Sequence, residues 1–597
     1  MLAERRRGAV PADLLIRALL AWLIVAAVVL AVNWQAIGAR QFPDPDDAMR
    51  LVQVRDVLAG QGWFDPVQHR VDAPAGGIPM HWSRLVDIPL LLVIAVLDPI
   101  IGAAAAETAA LVAVPLVTLF TVMLLAARIA HRVLGEEEAM LTSLLVALSV
   151  PLVFQLSPLR IDHHGWQVAC ALWAVNALMA RSPKRGAFGV GAALATWLSI
   201  SVEGLPLAAA IFAVLALRWL RDRGQRQWLV GAIQSLALVS VALFAATRGL
   251  GDLAVHCDAI GPLHLAVFGW GALVLTLLAR AEPAPPALVL AGFALAAGGA
   301  LALVLAVAPH CASGGGFAEI DPLVARHWLD HVNEGRPVWH QSLADALPFV
   351  VAPVIGLMAA VRLSRQSAGW LRRVWSDYAL VLAAALLVAV FVARAGAVAC
   401  ALAAPPLAWQ VNQWLRAARR MKSAPGRMAA MAGVALALVP TFPLTLLGPV
   451  MPAQAARGGP APLAGSLRQS DCDIAAARAA LAALPQGEIY APLDIAPALL
   501  LESRHTVVAT PHHRGHEAIR VVIETALGDP GQAHARLAAR GTDYIALCPG
   551  LNEPRNYAHE APGGFMARLL AGDAPGWLEP VELPEGTSLK LWRVRPV

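Results

Sequence analysis

Charge is scarce in this chain. Of its 597 residues only 15% are Asp, Glu, Lys or Arg, against roughly 25% in a soluble globular protein. Lysine is almost missing, with Lys184, Lys422 and Lys590 the whole complement, and Tyr occurs 4 times. Hydrophobic residues make up 58% of the chain and the mean hydropathy is +0.61. So apolar a chain is not soluble along its whole length, nor disordered, collagenous or a small disulfide scaffold. Walker A, a GxGxxG after a strand, GxSxG and HExxH are all missing, which argues against a nucleotide-driven pump and the common soluble hydrolases. There is no CxxC, no Cys/His zinc spacing and no internal repeat of fixed period.

What remains is an integral membrane protein with enough polar sequence for loops and one soluble domain. The net charge is +5 and the pI is about 9.1. The basic residues sit in short clusters between apolar runs, the positive-inside pattern, which points to membrane topology rather than a nucleic-acid partner. The first apolar run, about 14–33, is long and has no clear small-residue cleavage site, so it reads as a transmembrane helix. Arg5, Arg6 and Arg7 then lie in the cytoplasm. Further runs lie at about 107–130, 139–157, 166–181, 186–202, 204–220, 227–248, 261–279, 286–308, 345–363, 375–393, 396–415 and 427–449. The clusters at Arg128–Arg132, Arg181–Arg185, Arg218–Arg226, Arg280, Arg362–Arg373 and Arg416–Arg427 fall on alternate connections. They are therefore all cytoplasmic if residues 85–104, interrupted by Asp87 and Asp98-Pro99, lie along or dip into the membrane. The expectation is about 13 transmembrane helices over 1–450, with external loops at 34–87 and 309–344. An extracytoplasmic α/β domain occupies 451–597, where helical periods alternate with the strand-like runs EIYAP, HTVVATP and DYIALCP. The protein is placed in the inner (plasma) membrane with its N-terminus cytoplasmic. Cys257 with Cys311 and Cys472 with Cys548 are external and able to form disulfides; four free thiols are the alternative.

The chemistry-bearing residues gather on that outer face. The first loop reads QFPDPDDAMRLVQVRD and places Asp44, Asp46 and Asp47 just beyond the membrane. Clustered carboxylates suit a hard divalent cation or a general base; the alternative is that Asp46 or Asp47 caps the following helix. The connection SPLRIDHHGWQ holds Arg160, Asp162, His163 and His164, a set that suits a metal such as Mn²⁺. The loop at 309–344 carries Gly314–Gly316, Glu319 as a possible further ligand, and a helix expected over about Asp321–Asn333. His81, Arg84, Arg160 and Arg326 are candidates for a lipid-linked phosphate, with interfacial anchoring as the alternative. Glu203, at the outer end of the fifth helix, is a candidate buried partner. His512, His513, Arg514 and His516 either touch substrate or cap a helix.

This layout resembles the GT-C membrane glycosyltransferases, most of all the catalytic subunit of oligosaccharyltransferase. DPDDAMR, ending in Arg50, stands where that family carries a catalytic, metal-binding Asp and a following Arg. Asp162-His163-His164 matches its second acidic motif, 309–344 its mobile loop, and Glu319 a loop Glu of some members. APAGGIPMHWSRLVD is similar to its proline-glycine stretch. The resemblance implies Asp46 or Asp47 as catalytic residue. It implies Asp47, Asp162, His163, His164 and Glu319 as metal ligands for Mn²⁺ or Mg²⁺. Asp44, Arg50, His81, Arg84, Arg160 and Arg326 would bind substrate. The implied donor is a polyprenyl-phosphate-linked sugar and the acceptor a lipid, glycan or protein. The WWDYG motif that reads the protein sequon is missing, which turns the expectation from protein N-glycosylation to the broader group. The rival readings are a flippase for lipid-linked glycans, which expects polar residues deep in pseudo-symmetric helices, and a non-catalytic assembly protein.

Overall fold

The computed structural model describes residues 10–312, 317, 320–441 and 472–595. Glu319, Gly314–Gly316, Arg5–Arg7, the end of the last apolar run and the expected domain boundary near 450 lie outside the described residues.

Among the described residues seventeen α-helices precede residue 442. They are α1 (Ala12–Gly38), α2 (Pro45–Leu58), α3 (Asp87–Ile101), α4 (Ala103–Val133), α5 (Glu136–Leu148), α6 (Val150–Gln155), α7 (His164–Leu178), α8 (Pro183–Ile200) and α9 (Leu205–Arg221). There follow α10 (Arg226–Thr247), α11 (Pro262–Arg280), α12 (Pro286–Val307), α13 (Pro322–His327), α14 (Leu343–Gln366), α15 (Gly369–Phe391), α16 (Gly396–Arg420) and α17 (Ala424–Leu438). Among the described residues eight helices are long and apolar enough to cross a membrane: this is a multi-pass helical membrane protein. Each of the thirteen apolar runs carries a helix, although the run at 139–157 is broken between α5 and α6 at Ser149. The 15 residues of α3 reach about 22 Å, short of the roughly 30 Å hydrocarbon core. This helix turns back at Gly102 (φ +82°) and packs along α4.

The helices are packed through small residues, as lipid-embedded interfaces require. A Cβ at Gly191 in α8 would overlap the carbonyl oxygen of Ala232 in α10, so only glycine permits that approach. Helix α16 is the central element, buried along most of its length from Gly396 to Asn412. Helices α1 and α12 instead expose apolar side chains such as Val32, at 77%, and Leu301.

The C-terminal region is α/β. Its five-stranded sheet has the order β4-β3-β5-β7-β6, with β3 (Glu488–Tyr490), β4 (Thr506–Val507), β5 (Tyr544–Leu547), β6 (Leu578–Val581) and β7 (Lys590–Val594). β3 pairs parallel with β4 and β5, and β7 pairs antiparallel with β5 and β6. The three strand-like runs read from the sequence become β3, β4 and β5.

The first external loop is welded to this domain. A hairpin of β1 (Val67–Gln68) and β2 (Ile78–Pro79) carries Val71 onto the edge of β4, where Asp72 N donates to Val507 O at 3.0 Å and Val507 N to Arg70 O at 2.9 Å. Arg55 donates to Leu501 O at 2.7 Å, and Arg540 pairs with Asp72 at 2.7 Å. The long loop also packs there: Val324 and Trp328 are buried in the core of the α/β domain. That burial ends the helix expected over Asp321–Asn333 early, at His327, and three-residue 3-10 turns follow. Cys257 is bonded to Cys311 and Cys472 to Cys548, with Cα separations of 5.2 and 5.8 Å.

Candidate active site

The Asp44-Pro45 pair starts α2. Asp44 is the N-cap, its Oδ1 accepting from Asp46 N at 3.0 Å, and Pro45 fills the first helical position. Capping thus falls to Asp44, not to Asp46 or Asp47. The three carboxylates then diverge. Asp44 and Asp46 face a cavity of about 1130 Å³. Asp47 lies behind that wall, fully buried, its Oδ1 accepting from Ile161 N (2.8 Å) and Asp162 N (3.0 Å).

Arg160 organises the wall. Its guanidinium pairs with Asp44 at 3.2 Å, Asp47 at 3.0 Å and Asp162 at 2.7 Å, and donates to Gln155 at 2.7 Å. Leu159, fully buried in a left-handed conformation (φ +71°), supplies the backbone turn that aims it. Arg160 is therefore held behind the wall, its side chain fully buried, and does not line the cavity.

His163 and His164 follow, rings stacked at 4.3 Å. Asp162 Oδ2 accepts from His164 Nδ1 at 2.8 Å, leaving Nε2 buried without a partner among the described residues; His163 Nδ1 is equally orphaned. Glu203, from the α8–α9 connection, brings a carboxylate oxygen so that the ligand atoms of His163, His164 and Glu203 lie within 4.8 Å of one another. Two orphaned imidazole nitrogens and a carboxylate fit a divalent metal. Asp162 sits behind them and orients the His164 ring through the bond to Nδ1.

The cavity's remaining walls come from distant segments. Arg394 pairs with Glu203 at 2.7 Å and Glu334 at 3.4 Å. His512 of the α/β domain places Nε2 3.4 Å from Asp46 Oδ1 and stands edge-on to Trp82. His81 and His513 line the same cavity with rings 4.6 Å apart, and Asp258 binds His513 and Arg514, each at 2.7 Å. Arg326 reaches the cavity but is exposed and paired with Glu560 at 2.6 Å. Arg50 and Arg84 do not line it: both pair with buried Asp87, at 2.6 and 3.2 Å, and Arg50 stacks on Trp82.

The electrostatics separate the two cavity carboxylates. Burial pushes Asp44 up to about 7, opposed by Arg160 and reinforced by Asp46. Burial alone would raise Asp46 too, but the bond to and charge of His512 outweigh it and hold Asp46 below its ordinary value. Burial, with the neighbouring His164, brings His163 down to about 4, so its ring is neutral near pH 7, whereas at His164 burial is outweighed by Asp162, which pushes it up to about 10, so a metal ion there would have to displace its proton.

Sequence reasoning passed over Arg394, Glu334 and Asp494, which also lines the cavity. Arg394 carried a usable signal, because it is an arginine on a connection that the positive-inside pattern assigns to the outside. A second, more apolar cavity of about 410 Å³ adjoins the first. It shares Glu203 and Arg394, and is lined by Trp197, Leu207, Val388 and Val398 between α8, α9, α15 and α16.

No protein-family model matches the sequence, and no curated protein matches it. Solved structures do match. Oligosaccharyltransferase AglB from Archaeoglobus fulgidus, in complex with an inhibitory peptide and a dolichol-phosphate, aligns over 94% of this chain and 72% of its own. The identity is 14% and the TM-score 0.64. The oligosaccharyltransferase of that organism tethered to an acceptor peptide gives 14% identity over 96% of this chain and 73% of that one, with a TM-score of 0.64. Its complex with Zn and sulfate gives 14% identity over the same shares, with a TM-score of 0.56. The chain has the fold of the archaeal oligosaccharyltransferase, from its membrane helices to its C-terminal α/β domain.

Proposed function

We propose that this chain is a metal-dependent GT-C glycosyltransferase. It moves a sugar or oligosaccharide from a polyprenyl-phosphate to a lipid, glycan or protein acceptor on the extracytoplasmic side. One observation carries the reading. In a fold shared with a protein solved with dolichol-phosphate and, separately, with Zn and sulfate, a single cavity gathers Asp44, Asp46, His163, Glu203 and Arg394 beside an apolar recess.

The roles follow from the environments. His163, His164 and Glu203 would hold the divalent ion, with Asp46 facing the same space; two imidazoles favour Mn²⁺ over Mg²⁺. When bound, the ion supplies Lewis-acid stabilisation of charge on the leaving phosphate. Arg394, at the junction of the two cavities, holds the donor phosphate while the polyprenyl chain lies in the apolar recess. Asp44, titrating near neutrality, is the general base. The acceptor oxygen or nitrogen attacks the anomeric carbon, the carbon–oxygen bond to phosphate breaks with its electron pair going to the phosphate, and the acceptor proton passes to Asp44. Asp47 is assigned a positioning role, through the 160–162 backbone and Arg160. His512 positions Asp46 from the α/β domain.

The test is mass analysis of surface glycans and lipids in cells with and without the protein. Loss of a glycosylated product, restored by the wild type but not by Asp44→Asn or Asp46→Asn of normal abundance, is the expected result. Full restoration by either variant sinks the assignment.

A further inference from the structure

The other end of the same helices carries a third, differently charged cavity. Helix α7 runs from His164 at the carboxylate cavity to Leu178, α9 from beside Glu203 to Arg221, and α15 from Gly369 to just short of Arg394. The far ends of all three, roughly 22–35 Å away by helical rise, surround a void of about 470 Å³.

Its wall holds five arginines, Arg181, Arg218, Arg221, Arg372 and Arg373, against two carboxylates, Asp222 and Asp377. Both acids are engaged. Asp377 accepts from Arg218 at 2.6 Å, while Asp222 accepts from Gly224 N at 3.0 Å and Gln225 at 3.2 Å and has Arg373 at 3.8 Å. No ion pair of Arg221 or Arg372 occurs among the described residues, which leaves these two guanidinium groups at the void without a carboxylate. Two tryptophans complete the wall: Arg218 lies over Trp228 at 4.9 Å and Arg181 over Trp370 at 5.6 Å. Topology asks only that arginines lie on this face. It does not ask three connections remote in sequence to converge on one void between aromatic planes.

We propose that this void binds the phosphodiester headgroup of an anionic phospholipid. The guanidinium fork matches a phosphate oxygen pair, and basic pockets between membrane helices are the form such lipid sites take. Phosphate arrives on a lipid because Leu217 of α9 and Phe188 of α8, near the same helix ends, are exposed apolar side chains on the bundle surface, against which acyl chains lie.

The experiment is native mass spectrometry of the full chain in detergent, titrated separately with phosphatidylglycerol, phosphatidylcholine and inorganic phosphate. Phosphatidylglycerol should be retained and phosphatidylcholine not. Arg221→Gln with Arg372→Gln should weaken retention about twenty-five-fold, at roughly fivefold per arginine. Both side chains are exposed, so the lipid-free melting temperature should not move. Asp222→Asn should tighten retention, a gain that misfolding cannot imitate. If inorganic phosphate alone displaces phosphatidylglycerol with the same variant dependence, the anion site stands and a free phosphate replaces the lipid as its ligand. Equal retention of both lipids, or no response to the three substitutions, overturns the proposal.

Discussion

The two ends of the helix bundle use the same scarce charge in opposite ways. At the outer end carboxylates outnumber the cations that face them: Arg160 serves three acids, and Asp44, Asp46 and Glu203 still reach the cavity. At the opposite end arginines outnumber acids, five to two. The first arrangement is expensive, since buried acids repel one another and lose hydration, and a bound cation relieves it. The second is relieved by an anion. On the readings proposed above, the acid-rich end takes a cation and the arginine-rich end an anion.

The largest test of the contrast is to empty the outer end of its acids. Asp46→Asn and Asp44→Asn are each expected to lower transfer by about 10²–10⁴-fold, measured with reconstituted protein and lipid-linked donor. Breaking the hub comes next. Arg160→Met removes the guanidinium that Asp44, Asp47 and Asp162 share and should cost about 3–5 kcal/mol of stability, read as a lower melting temperature. Asp162→Asn, which removes the carboxylate behind His164, should weaken Mn²⁺ binding by about 10–100-fold, measured by calorimetry. The pH dependence is smaller but more specific. Asp44, pushed up to about 7 by burial, accepts a proton only when ionised, so kcat/KM should rise as pH climbs through about 7, and Asp44→Asn should flatten that limb.

Much of this was legible in the sequence because charge is so rare. Alternating arginine clusters set one face of the bundle apart from the other, and the acids left over marked DPDDAMR and IDHHG. The helices were readable from their apolar runs, and β3, β4 and β5 from short β-rich segments. Roles within the clusters were not legible. One turn of helix separates Asp44, which faces the cavity, from Asp47, which does not, and that choice is made by Arg160 and the backbone N–H groups of Ile161 and Asp162. Arg84 looked like a phosphate binder and Arg50 like a substrate contact, yet both are committed to Asp87, a partner 37 residues beyond Arg50. His512 meets Asp46 only because Val71 docks on the edge of β4 and carries the first loop against the α/β domain. Such pairings depend on tertiary approach, which spacing does not encode.

The central claim is that the outer cavity is a site of glycosyl transfer. The most direct measurement is mass analysis of surface glycans and lipids from cells lacking the protein, complemented with the wild type or with Asp46→Asn. The account predicts that a glycosylated product disappears, returns with the wild type and stays absent with the variant. A full return with Asp46→Asn, at wild-type abundance of the protein, would contradict it.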